Sequence, residues 1–197
     1  MTIPMHRSMT RRSVLASAAG MSLLLPVWRS TAIAQEKAIA PETNPPGDIP
    51  DSQVFVTYSS PLGFSIKAPE GWSRTESADG VSFADKYGRI DFRITTGATA
   101  PTLASVKSVE AAALEKNGRA AKIEKIEAST LPSGAAVRIA YTSNSEPNAV
   151  TGKQLRLENE RLLIAHGGKI ATITFSAPQG ADNADQWKLM RDSFRWN

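Results

Sequence analysis

Arg161-Leu162-Leu163-Ile164-Ala165-His166-Gly167-Gly168-Lys169-Ile170-Ala171-Thr172-Ile173-Thr174-Phe175-Ser176 is the stretch that decides the fold. An apolar run climbs to His166, a Gly-Gly pair reverses the chain, and a β-branched and aromatic run returns. Glycine tolerates the positive φ angles of two-residue hairpin turns, and Ile, Thr and Phe suit strands. After Pro178-Gln179-Gly180 the apolar period lengthens from two to about 3.6. Ala184, Trp187, Met190 or Arg191, and Phe194 then share one stripe, which predicts a C-terminal amphipathic helix. Such a helix buries Trp187 and Phe194 only by lying across a sheet.

Upstream, the same patterning predicts strands at Val54–Tyr58, at Phe64–Ala68 with Phe64, Ile66 and Ala68 inward, at Val81–Asp85, and at Arg89–Thr95 with Ile90, Phe92 and Ile94 on one face. Trp72, after the turn Pro69-Glu70-Gly71, reads as a core anchor. A first helix is expected from about Thr102 to Asn117, capped by Thr99 or Thr102, with Leu103, Val106, Ala113 and Leu114 inward and Gly118 as its stop. Lys122–Thr130 reads as an edge strand whose lysines discourage aggregation. Val137, Ile139 and Tyr141 share a face of the next strand. Gln154–His166 reads as a long strand, bulged near Asn159. The order is four strands, helix, four strands, helix. That is an α+β domain, an antiparallel sheet with helices packed on it. Residues 54–197 suffice for a sizeable core without disulfides.

The 197 residues carry a formal charge of +4, but residues 1–34 hold Arg7, Arg11, Arg12 and Arg29 and no acid. Of the 23 basic residues, 19 remain beyond that segment, against 19 acidic ones. The mature chain is formally neutral, which removes the main support for nucleic-acid binding. Cysteine is absent, so there is no disulfide, no thiolate metal site, and no cysteine for lipid anchoring.

Residues 1–34 read as a signal peptide. Thr10-Arg11-Arg12-Ser13-Val14-Leu15 is a twin-arginine motif, and Ala32-Ile33-Ala34 is a small-residue cleavage site before Gln35. The apolar core between them is shorter than the roughly 20 residues a spanning helix needs. Export by the twin-arginine route, to the periplasm or an equivalent extracytoplasmic compartment, is expected. Residues 35–53 hold Pro41, Pro45, Pro46 and Pro50 among acidic residues and few apolar ones. They read as a disordered, solvated linker.

Several of these residues resemble a known family. Gly63-Phe64 with Pro69 and Trp72, then Phe83-Ala84-Asp85, then Gly167-Gly168-Lys169 and the closing Ser193-Phe194 are similar to motifs of the PsbP family, in order and spacing, over roughly Tyr58 to Trp196. The resemblance implies an α/β/α sandwich with a central antiparallel sheet and two main helices, shared with the Ran-binding Mog proteins. It also implies a binding or assembly role beside a membrane complex, as for the photosystem-II extrinsic subunit, which helps retain calcium and chloride. The linker does not look like a photosystem-docking arm.

Chemistry-bearing residues are few. His166 is the sole histidine beyond the leader, at a hairpin. A zinc site there would need carboxylates alone as co-ligands. Glu158 and Glu160 lie two apart on a strand and share a face, which suits a weak calcium site or a solvated surface. Asp182 and Asp185 open the last helix, where acids favour its dipole. No G-x-S-x-G, H-E-x-x-H, phosphate-loop or EF-hand pattern occurs. The expected function is therefore a non-catalytic binding or assembly factor, monomeric, with a protein partner, no nucleic acid and no cofactor. The alternative is a small-molecule or divalent-cation binder or a periplasmic enzyme, with His166, Glu158 and Glu160 as its candidate residues.

Overall fold

A computed structural model describes residues 36–96 and 99–197. Arg11, Arg12, Ala34 and Gln35, the residues of the export signal and its cleavage site, lie outside the described residues. Among the described residues ten strands form two antiparallel sheets. The larger has seven strands in the order β3-β4-β5-β9-β8-β7-β6: β3 (Ser73–Glu76), β4 (Gly80–Ala84), β5 (Arg89–Thr96), β6 (Lys122–Leu131), β7 (Gly134–Asn144), β8 (Arg156–His166) and β9 (Lys169–Pro178). The smaller pairs β1 (Phe55–Ser60) with β2 (Phe64–Pro69) and β2 with β10 (Arg195–Trp196).

The β8–β9 hairpin is the one the sequence predicts. His166 faces Lys169 across a two-residue turn, and Gly167 and Gly168 both have positive φ, 55° and 74°. Helix α3 (Ala184–Ser193) follows and buries Gln186, Trp187 and Met190. It lies with the small sheet on one face of the large sheet. Phe64 holds this layer together: its ring stacks on Phe92 of β5 and on Phe194, both at 5.7 Å. Ile66, Ile90, Leu162, Ile173, Phe175 and Met190 complete a core in which each buried side chain contributes about 2 kcal/mol.

The opposite face is covered over β6, β7 and β8 by one helical segment, α1 (Leu103–Ser105), a π-helical turn (Val106–Ala111) and α2 (Ala112–Asn117). Thr102 caps it: its hydroxyl accepts from the Ser105 N–H, and Ser105 returns a bond to the Thr102 N–H. The π turn alters which residues face inward. The buried Val106 and Ala111 are five positions apart, so Leu103 and Ala113, expected on the apolar stripe, are exposed. Val106 packs with Val137, Ile139, Tyr141 and Leu163 in a second cluster.

Three further expectations change. Five strands, not four, precede the helix, because β3 is a strand with every residue exposed. The bulge lies between Ile123 and Lys125 of the edge strand β6, whereas β8 pairs in unbroken register past Asn159. Residues 36–53 are not a solvated linker. They form an irregular strap laid on the domain. Ile49 enters the core at 6% exposure. Its N–H donates to Asn183 Oδ1 at 2.7 Å, and Asn183 Nδ2 donates to the Gly47 carbonyl. Farther along, Asn144 donates to Glu36 and to the Lys37 carbonyl and accepts from the Ile39 N–H. Arg119 bridges Glu36 and Glu146. The strap is poor in apolar residues, and two buried asparagines bind its backbone instead.

Candidate functional site

Three places on the domain gather side chains of functional interest. The first is a cleft of about 620 Å³ where the uncovered half of the large sheet meets the π-helical turn. Alternation along the strands sends Ile90 and Phe92 of β5 into the core and Asp91 and Arg93 into the cleft. The same rule sends Thr172, Thr174 and Ser176 of β9 there. Arg161 donates from Nε to Thr174 Oγ1 at 3.0 Å, lies 3.6 Å from Glu110 and sits over the Tyr141 ring. Burial pushes the Tyr141 phenol above its ordinary pKa. Each titratable group here is engaged by a partner of opposite sign or by packing.

The second is a groove of about 490 Å³ on the α3 face. Glu160 is buried at 3% exposure and takes Arg138 on one oxygen and Arg191 on the other, at 2.6 and 2.8 Å. Arg138 continues to Glu127, which also holds Lys125. The chain of charges ties α3 to β6, β7 and β8. Glu158 shares the face as expected, and burial raises its pKa although the Gly180 N–H bonds to it.

The third is the free edge of the small sheet. Strand β1 pairs with β2 on one side only, and Val54 and Val56 are 55% and 44% exposed. Val56 and Tyr58 stand beside Pro69, Trp72, Arg74 and Phe83 around a hollow of about 350 Å³. Arg74 lies over the Tyr58 ring, and the Tyr58 hydroxyl donates to Glu76.

Neither a protein-family model nor a curated protein matches the chain. Solved structures do. The solution structure of cyanobacterial PsbP (CyanoP) from Synechocystis sp. PCC 6803 aligns at a TM-score of 0.54 and 16% identity, covering 77% of this chain and 98% of that one. The fold is PsbP-like. Two further likenesses are the Saccharomyces cerevisiae Ran-binding protein Mog1p (TM-score 0.48, 12% identity, 74% of this chain and 96% of that one) and LpqN, involved in cell envelope biogenesis of Mycobacterium tuberculosis (TM-score 0.43, 17% identity, 73% and 89%).

The motif residues behind the resemblance build this PsbP-like fold. Phe64, Phe83 and Phe194 are core residues. The Lys67 N–H donates to the Ser193 hydroxyl at 2.8 Å, the Asn197 N–H donates to the Gly63 carbonyl, and Lys169 reaches the Leu62 carbonyl. They lock the C-terminus to β2. In the PsbP-like domain His166 is exposed at the hairpin and stacks on Trp196 at 5.8 Å between centroids. It shares the face of Glu158 and Glu160 but stands six residues from Glu160, about 20 Å along the strand. The three do not converge. Among the described residues no group of three or more His, Cys, Asp or Glu side chains is placed to hold a metal. The cap position of α3 belongs to Asn183, with Asp185 in the first turn, while the Asp182 N–H donates to Asp48. Sequence reasoning missed the cleft and the β1 edge. The alternation of Arg93, Asp91 and Arg89 was visible but matches an ordinary solvent face.

Proposed function

We propose that the chain is an exported, non-catalytic accessory protein that binds an extended strand of a partner protein in an envelope or membrane complex. The observation that carries this reading is the β1 edge. The other three edges among the described strands are guarded or short: β6 carries Lys122, Lys125 and a bulge, β3 is four residues long, and β10 is two. β1 is six residues long and has no lysine, proline or bulge. Its outer backbone groups are a template for one more strand. An incoming strand would send every second side chain into the hollow over Trp72 and Phe83. That arrangement supplies affinity from the main chain and selectivity from the hollow.

Export rests on the twin-arginine motif at Arg11 and Arg12 and the site at Ala34 and Gln35. Among the described residues no helix is long and apolar enough to cross a membrane. The PsbP-like fold supports a binding role, and the protein partner is part of the proposal. The test is affinity co-purification of the C-terminally tagged full chain from the native envelope fraction, beside a Val56→Asp variant. A stoichiometric partner recovered with the wild type and lost with the variant is expected. Recovery of the lone monomer from both would overturn the reading.

A further inference from the structure

The cleft on the other face of the large sheet has a built floor. One cross-strand row and part of a second form it. One runs Ser82, Asp91, Thr174 and Arg161 across β4, β5, β9 and β8. The second runs Arg89, Ser176, Asn159 and Tyr141 across β5, β9, β8 and β7, and of these Ser176 and Tyr141 line the cleft while Asn159 braces them from beside it. At the ordinary strand spacing each row is about 14 Å long. A plain solvent face would leave such residues exposed and free to move. Here Asn159, Tyr141 and Thr174 are buried. Asn159 donates to the Tyr141 carbonyl and the Ser143 hydroxyl and accepts from Ser176. Ser82 donates to Asp91 and accepts from Arg89. Groups held this firmly lose little freedom when a ligand arrives.

The charges select the ligand class. Arg89 lies 2.8 Å from Asp91, Arg93 3.3 Å from Asp79, and Arg161 3.6 Å from Glu110. Of these groups two guanidiniums, Arg93 and Arg161, and two carboxylates, Asp91 and Glu110, line the cleft. The π-helical turn carries Glu110 to the rim, and such turns are frequent at functional sites. An anionic ligand meets Asp91 and Glu110, and a cationic one meets Arg93 and Arg161. An apolar ligand would strip water from the hydroxyls without replacing their hydrogen bonds. A neutral molecule with adjacent hydroxyls fits, because each can accept from a guanidinium and donate to the neighbouring carboxylate. We infer that this cleft binds a neutral polyhydroxylated ligand, a short saccharide chain laid along the two rows. The site is separate from the β1 edge and does not depend on it.

The test is a titration of the full, isotope-labelled chain with maltotriose, with N-acetylchitotriose and with inorganic phosphate, followed by amide chemical shifts. Saturable shifts at Asp91, Thr174 and Ser176 with at least one trisaccharide, and none with phosphate, are expected. Thr174→Val removes a hydroxyl while keeping a β-branched side chain and should weaken binding about tenfold, the value of one hydrogen bond. Should that variant not fold, Tyr141→Phe carries the same expectation. Glu124→Gln on the α3 face and Val56→Asp at the β1 edge should leave saccharide binding unchanged, which separates this result from the fate of the strand-binding reading. Absence of saturable shifts with both trisaccharides, equal shifts with phosphate, or unchanged affinity in the cleft variant would overturn the inference.

Discussion

Replacing Asn183 with alanine tests whether the strap is part of the fold. Asn183 is 2% exposed and makes no side-chain capping bond to α3. Its amide serves the strap alone, accepting from the Ile49 N–H at 2.7 Å and donating to the Gly47 carbonyl at 3.0 Å. Alanine leaves the Ile49 N–H buried and unpaired, which costs about 1–3 kcal/mol, and removes a second bond worth about 1 kcal/mol. The expected loss is about 2–4 kcal/mol, a large share of the stability of a domain this size. Urea unfolding followed by tryptophan fluorescence measures it. Limited proteolysis adds a local reading, since cleavage within residues 36–53 should become faster in the alanine variant. A loss below about 0.5 kcal/mol with an unchanged cleavage pattern would refute the strap's role.

Other perturbations follow from the same geometry. Gly80→Ala would place a Cβ 2.0 Å from the Phe92 carbonyl oxygen, backbone that cannot move without parting β4 from β5, so thermal unfolding should show a loss of about 3 kcal/mol or failure to fold. Glu160→Ala would strand Arg138 and Arg191 without their shared carboxylate; their side chains keep about a quarter of their exposure, so water softens the cost to about 2–3 kcal/mol by urea unfolding. Glu158 has its pKa raised by burial, so the folded state binds its proton more tightly than the unfolded state does. Its ionisation therefore erodes stability as pH rises through the carboxylate range. Glu158→Gln should show a small gain in melting temperature at pH 7 that vanishes below the unfolded carboxylate pKa, and a gain persisting unchanged at low pH would contradict this.

The sequence states the large sheet more plainly than the surfaces. The Gly167-Gly168 turn, the alternation of Ile90, Phe92 and Ile94, and the Trp187–Met190–Phe194 stripe each impose a period that only one kind of element satisfies. β3 escapes because Ser73, Arg74, Thr75 and Glu76 are all exposed and have no apolar face. The strap escapes because composition reports burial of apolar area, whereas Asn144 and Asn183 hold the strap by its backbone from more than one hundred residues away. The π turn escapes because a single added residue per turn leaves no mark on the pattern of Leu103, Val106 and Ala113. Thr172, Thr174 and Ser176 read as a solvent face, since alternation fixes which side a residue takes but not whether that side is concave. The motifs of the resemblance predict the fold well because their residues sit in its core and at its C-terminal lock, and for the same reason they say little about a binding site.

The central claim is that β1 is the docking edge, and amide hydrogen exchange on the purified complex tests it most directly. In the free chain the outward amides of Phe55–Ser60 should exchange quickly, because no strand pairs with them. In the complex they should become protected, together with the rim of the hollow at Trp72 and Arg74. Protection appearing elsewhere, with β1 exchanging as fast as in the free chain, would contradict the account.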